Sequence, residues 1–261
     1  MILTSTSNPR VKDVVGLRKA RERRTSGRFV VEGRRELERC VAAGVAVESI
    51  YWCPDLGADG GHPSWFPGTA EVVEVARPVF ERMSMREGPD GVLGVALDFP
   101  TSLDEVALPT DPLVLVMVGI EKPGNLGTMA RSALAAGAAA LVLADPVTDP
   151  TNPNAIRASQ GAIFDLAIAT ASTDDVIGWL ERQGIAAFAA DPGTEVAYWD
   201  APLAGPAAIV IGAEHAGLPD AWRRAATPVG IPMSGAAGAD SLNAAAAAAV
   251  LLFDAVRQRS A

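Results

Sequence analysis

Three short segments of this chain place Asn, Arg, Glu and Ser inside loops shaped by glycine and proline. They are Glu121-Lys-Pro-Gly-Asn-Leu-Gly-Thr-Met-Ala-Arg131, Val210-Ile-Gly-Ala-Glu-His-Ala-Gly-Leu-Pro-Asp220 and Ile231-Pro-Met-Ser-Gly-Ala-Ala-Gly-Ala-Asp-Ser-Leu-Asn243. Asn125 can cap a helix or present its amide to a ligand. Arg131 is the one charged residue of an otherwise apolar helical stretch, which sets it apart from the usual solvent-facing arginine of a surface helix. Gly212 directly follows an apolar run, where a missing side chain lets a ligand approach the backbone. Glu214 is the only acid between Asp200 and Asp220. Ser241 or Asp240 is a natural N-cap for the helix that follows. Taken singly, each residue has an ordinary structural reading, and no segment is a GxGxxG fingerprint or a P-loop.

Their common context is more informative. Each segment opens just after an apolar, β-type run, and the first and third lead into helix-like sequence. From residue 113 onward such runs alternate with helical stretches. Strands are expected at 113–118, 140–143, 166–169, 186–190, 207–211 and 227–231. Helices are expected at 125–136, 154–161, 173–182, 219–225 and 241–257. That alternation predicts a mostly parallel, Rossmann-like sheet with helices on both faces and a ligand site at the strand ends. Upstream, a helix over 10–24, a strand at 29–31, a helix over 32–43, strands at 47–52, 72–75 and 92–97 and a helix near 78–83 predict a smaller α/β unit. Residues 99–111 read as a linker between a domain over 1–98 and one over 112–261.

Composition sets outer bounds. An apolar fraction of 49% is ample for a core, and aromatics at 5% leave that core to Ala, Val, Leu and Ile. Two cysteines, Cys40 and Cys53, do not make a disulfide framework. Only His62 and His215 are present, and zinc-type spacing is absent, so no metal is expected. The N-terminus has no apolar signal core and no apolar run reaches membrane-spanning length, so the chain is expected to be soluble and cytoplasmic. Net charge is −9, but residues 1–40 hold 11 of the 22 basic residues against 5 acids, a local +6. That asymmetry points to an RNA contact through Arg10, Lys12, Arg18, Lys19, Arg21, Arg23 and Arg24.

The three segments together resemble the three signature motifs of the SpoU (TrmH-like) family of RNA 2′-O-ribose methyltransferases. The matches are Pro-Gly-Asn-Leu-Gly with Arg131, Ile-Gly-Ala-Glu with Gly217-Leu218, and Ile-Pro-Met-x-Gly followed by Ser-Leu-Asn. Arg157-Ala-Ser-Gln-Gly161 looks like a further family segment. The likeness is close over 108–258. It is looser over 1–98, where Phe29-Val-Val-Glu-Gly33 is similar to the family's N-terminal RNA-binding domain. It implies a C-terminal trefoil knot and a homodimer. S-adenosylmethionine would be held by Gly212, Ile231 and Leu242, with Ile211 and Met233 beside it. The family's proposed catalytic arginine falls on Arg131. Asn125, Glu214, Ser241 and Asn243 fall on its other signature polar positions, and Arg157 joins the RNA-binding set. One departure stands out: Ala236-Ala-Gly-Ala-Asp240 makes the third loop two residues longer than the family pattern.

The implied reaction is in-line attack of a ribose 2′-hydroxyl on a sulfonium methyl, which depends on orientation and on removing a poorly acidic proton. Ribosomal RNA of the large subunit is the expected substrate, given the N-terminal domain. A tRNA enzyme and an antibiotic-resistance methyltransferase are the nearest alternatives. A dinucleotide oxidoreductase lacks its Gly-rich fingerprint here. A non-catalytic RNA binder would not need all five polar signature residues.

Overall fold

The computed structural model describes residues 2–57, 62–99, 101–234 and 241–260. The chain packs as two units, Met1–Phe99 with Asp149–Asp165, and Pro100–Thr148 with Leu166–Ala261.

The first unit begins with helices α1 (Pro9–Gly16) and α2 (Ala20–Ser26). Strand β1 (Arg28–Glu32), helix α3 (Arg34–Ala42), strands β2 (Val47–Trp52) and β3 (Glu71–Glu74), helix α4 (Arg77–Met83) and strand β4 (Val92–Leu97) follow. The sheet order is β1-β4-β2-β3, with β4 antiparallel to both neighbours and β2 parallel to β3. A single helix was expected over 10–24. It is broken because Arg23, 3% exposed, donates its Nη1 to the carbonyls of Leu17 and Arg18 at 2.9 and 3.0 Å. A continuous helix would need those carbonyls for its own ladder.

The second unit opens with β5 (Leu113–Val118), a fully buried Leu/Val/Met strand of the kind parallel sheets place at their centre. Helix α5 (Pro123–Ala135) and strand β6 (Ala140–Ala144) follow. Helix α6 (Pro153–Ser159) belongs to the first unit. The second unit then resumes with β7 (Ala167–Ala171), α7 (Thr173–Arg182), β8 (Ala186–Ala190), β9 (Ala207–Ile211), α8 (Asp220–Ala225), β10 (Thr227–Val229) and α9 (Ala244–Arg259). The strand order is β10-β8-β9-β5-β6-β7, and every pair is parallel. The chain therefore runs outward from β5 to β7, then returns to fill the other side, with β9 inserted between β5 and β8. That reversal makes a switch point at the carboxyl ends of β5 and β9, where open α/β sheets leave a crevice. Helix α9 begins with an alanine run of the highest helix propensity and packs on α5 and β9. Its far end is fixed by Arg259, which donates to the carbonyls of Leu203, Gly205, Asp111 and Pro112.

Segment 149–165 completes the first unit's core. Asp149 grips buried Arg23 through both oxygens, at 2.5 and 3.2 Å. Phe164 stacks on fully buried Phe29, and Asp165 pairs with Arg39. Asp149→Ala leaves a guanidinium buried without its counter-ion. It is expected to lower stability by about 3 kcal/mol in urea unfolding, as breaking buried pairs does. A loss under about 1 kcal/mol, typical of a surface pair, would show that Asp149 is not needed.

Candidate functional site

A pocket of about 420 Å³ lies over the carboxyl ends of β8, β9 and β10. This volume is within the usual range of about 300–1,000 Å³ for small-molecule sites. Ile211, Leu218, Val229, Ile231, Met233 and Leu242 form its apolar walls. Gly212, Glu214, Ser241 and Asn243 also line it, as do Lys122, Asp191 and the first turn of α9 at Ala244 and Ala247.

Each wall has a local cause. After β9 the chain folds back on itself: Gly217, at φ +64°, donates its N–H to Ala213 O at 2.9 Å. A Cβ on Gly212 would lie 2.7 Å from the Gly217 carbonyl carbon and oxygen and 2.9 Å from Leu218 Cγ. Only glycine therefore permits this loop, and it aims Glu214 back toward α5. On β10's side, Gly230 donates to Val196 O at 2.7 Å and accepts from Tyr198 N at 2.9 Å, which ties the end of β10 to the segment after β8.

The polar residues form one chain across the three loops. Asn125 Nδ2 donates to Glu214 Oε1. Asn243 Nδ2 donates to Asn125 Oδ1 over a long 3.4 Å, while Asn243 Oδ1 accepts from Ala245 N at 2.9 Å. Asn243 is thus the N-cap of α9, a place the sequence suggested for Ser241 or Asp240. Asp240, with the whole stretch Gly235–Asp240 that carries the two extra residues, lies outside the described residues. Asn125 likewise does not cap α5, whose N-cap is Lys122 without a side-chain bond. Relieved of that task, the Asn125 amide reads the Glu214 carboxylate.

Asn125, Glu214, Ser241 and Asn243 are therefore gathered at one place, with Gly212, Ile211, Ile231, Met233 and Leu242 around the same cavity. Arg131 is not. It is exposed on α5, and its side chain makes no hydrogen bond or ion pair among the described residues. Lys122 and Asp191 were missed. Both directly follow, or lie just beyond, the carboxyl end of a strand, and Asp191-Pro-Gly193 had the turn chemistry to mark it.

The basic set of the first unit divides. Arg10 is exposed and pairs with Glu71 at 2.8 Å, while Lys12, Lys19, Arg21 and Arg24 are exposed without a partner among the described residues. Arg23 is withdrawn from phosphate contact by burial and by Asp149. Arg18 is also committed: its Nη2 donates to the carbonyls of Arg82, Met83 and Ser84 and caps the end of α4. Arg157 is half-buried and donates to Met85 O at 3.3 Å. Burial pushes the Cys40 thiol up to about 12, so it is no nucleophile. Among the described residues, no group of His, Cys, Asp or Glu could hold a metal, and no helix is long and apolar enough to cross a membrane.

A parallel sheet with a ligand-sized crevice at its switch point, lined by polar side chains that include a carboxylate, defines an α/β enzyme domain. The chain belongs to the SpoU rRNA Methylase family, whose model matches residues 112–253. Residues 8–94 match an MRM3-like substrate binding domain. A curated relative is the 23S rRNA (uridine(2479)-2′-O)-methyltransferase of Streptomyces viridochromogenes, 34% identical over 88% of this chain and 76% of its own length. Among solved structures, an RNA 2′-O ribose methyltransferase is 40% identical, covers 100% of both chains and superposes with a TM-score of 0.87. The SpoU methyltransferase AviRb of Streptomyces viridochromogenes, in complex with the cofactor AdoMet, is 28% identical over 97% of this chain and 98% of its own, with a TM-score of 0.89.

Gly212→Ala must displace the Gly217 backbone. Its chemical-denaturation midpoint is expected to fall by the equivalent of about 1–3 kcal/mol, the usual cost of overpacking. An alanine variant as stable as wild type would refute the close approach. Asn243→Ala should lose about 1 kcal/mol of helix capping, and Asn243→Asp should retain it.

Proposed function

We propose that this protein methylates a ribose 2′-hydroxyl of large-subunit ribosomal RNA, with S-adenosylmethionine bound in the pocket of the second unit, in the cytoplasm. The observation that carries this reading is the Glu214–Asn125–Asn243 chain at the mouth of an apolar pocket, on a chain of the SpoU family. The pocket suits the cofactor. Its volume is sufficient, Ile211, Leu218, Ile231 and Leu242 offer a surface for an adenine ring, and Lys122, Asp191 and backbone groups at strand ends offer polar partners. When bound, the cofactor supplies an electrophilic methyl group on a sulfonium.

The chain's own residues then have separable tasks. Gly212, Ile231 and Leu242, with Ile211 and Met233, hold and exclude water from the cofactor. Asn125, oriented by Glu214, and Asn243, fixed as a helix cap, keep the loops in register and present amide groups to the ribose. Ser241 stands at the same rim. Arg131 binds the phosphate beside the target nucleotide and stabilises the 2′-oxygen as its proton passes to solvent. A guanidinium is too basic to be read simply as a proton acceptor. The exposed lysines and arginines Arg10, Lys12, Lys19, Arg21 and Arg24 supply salt-dependent contacts to the RNA backbone. The C-terminal knot of the family is consistent with the return of the chain from β10, at the sheet edge, to α9 against α5 and β9. A second copy of the chain covers α9, whose Ala246, Ala249, Val250 and 50%-exposed Phe253 form an apolar stripe at helical spacing.

Arg131→Ala should reduce methyl transfer to ribosomal RNA at least about 100-fold, the scale for losing a transition-state charge partner. S-adenosylmethionine affinity by calorimetry should stay near wild type. Near-normal transfer with bound cofactor would remove Arg131 from the mechanism. Sedimentation of wild type should give a dimer and of Phe253→Glu a monomer. A dimeric Phe253→Glu would place the interface elsewhere.

A further inference from the structure

We infer that the first unit carries a base-stacking platform for unpaired RNA, formed by Trp65, Phe66, His62 and Trp52 with Arg34, at one end of its sheet. This rests on the reading of the protein as acting on RNA, and names the part of the RNA that this end recognises.

The sheet topology brings these residues together. β1 and β2 both run antiparallel to β4, so the ends of β1 and β2 meet the start of β4. Glu32 pairs with Leu93 and Trp52 with Val92, and Gly33 N donates to Val92 O at 3.1 Å. The loop after β2 is pinned against this end at Gly91. A Cβ there would lie 2.8 Å from both Cys53 O and Gly57 N. His62 meets Trp52 edge-on at 5.4 Å, and Trp65 meets Phe66 edge-on at 6.2 Å. The Arg34 guanidinium lies 5.2 Å over the Trp65 ring.

Trp52, Trp65 and Phe66 stand outside the buried cluster that gathers Val11, Val14, Leu17, Tyr51, Phe80 and Met83. Of the chain's 5 Trp and 7 Phe, Trp52, Trp65 and Phe66 are only partly buried here, in two ring pairs, Trp52–His62 and Trp65–Phe66, and His62 is exposed. Indole faces and a guanidinium plane are the surfaces on which splayed-out bases stack, whatever their identity. Phosphate partners stand alongside. Arg34 and Arg35 are exposed, and Arg86 Nη1 lies next to Gly33. The carboxylate partners of Arg34 and Arg86 are i,i+4 surface pairs, which bind weakly enough to yield to a phosphate. A duplex keeps its bases stacked internally and offers nothing to these rings, so the platform selects single-stranded RNA.

The test uses the full chain with labelled oligouridylate, which is largely unstacked, and with a blunt RNA duplex. Trp65→Ala should weaken oligouridylate binding about ten-fold, equivalent to about 1.4 kcal/mol, with duplex binding unchanged. Trp65→Phe should retain the affinity but lose the Trp65 share of the tryptophan quenching that oligouridylate causes in wild type, leaving that of Trp52. Wild-type affinity in Trp65→Ala would overturn the proposal, as would an equal loss for the duplex. Should the alanine variant fail to fold, undiminished quenching in Trp65→Phe overturns it instead. Calorimetry with S-adenosylmethionine is run on wild type in parallel. A wild type that takes oligouridylate but not the cofactor removes the methyltransferase reading and leaves the platform standing.

Discussion

The carboxylate of Glu214 holding the amide of Asn125 is the contact on which the second unit's site depends. Glu214 comes from the loop after β9 and Asn125 from the first turn of α5, 89 residues apart in sequence. Asn243, at the start of α9, joins the same pair. Hydrogen bonds to a charged acceptor contribute about 1.5–3 kcal/mol each, roughly twice a neutral one. That ties the loop after β9 to the start of α5, and the longer, neutral Asn243–Asn125 bond brings the third loop alongside them. The pocket walls then follow. Gly212 lets the β9 loop close under Glu214, and Asn243 ends the third loop by capping α9, whose first turn forms one side of the cavity.

Arginine has two distinct uses in this molecule. Arg18, Arg23 and Arg259 donate to main-chain carbonyls at helix ends and loops, Arg23 giving its other donors to Asp149. The planar guanidinium suits that work because it reaches several acceptors at once. Arg10, Arg21, Arg24, Arg34, Arg35 and Arg131 remain exposed. A basic stretch therefore marks both the internal framework and the surface open to RNA, and only burial separates them.

The strand and helix alternation was plain in the sequence, because buried parallel strands are continuous Val/Leu/Ile/Ala runs. Leu113–Val118 and Ala207–Ile211 stand where expected. The motif residues were legible because their types are unusual between such runs. The break after Gly16 was not, since it depends on Arg23 reaching back to two carbonyls. Nor was the adherence of 149–165 to the first unit, which rests on Asp149 meeting Arg23 and Phe164 meeting Phe29, each pair well over a hundred residues apart. Asn243 as the cap was hidden by the better-placed candidates Asp240 and Ser241. Composition marks local preference, and these features are set by distant partners.

The central claim is methyl transfer to one ribose of the large ribosomal subunit at the site organised by Glu214. Mapping 2′-O-methyl groups in ribosomal RNA from cells lacking this protein tests it most directly, with wild type or Glu214→Gln restored. The account predicts one position that loses its methyl group, regains it with wild type and stays largely unmethylated with Glu214→Gln. An unchanged methylation map in cells without the protein would contradict it.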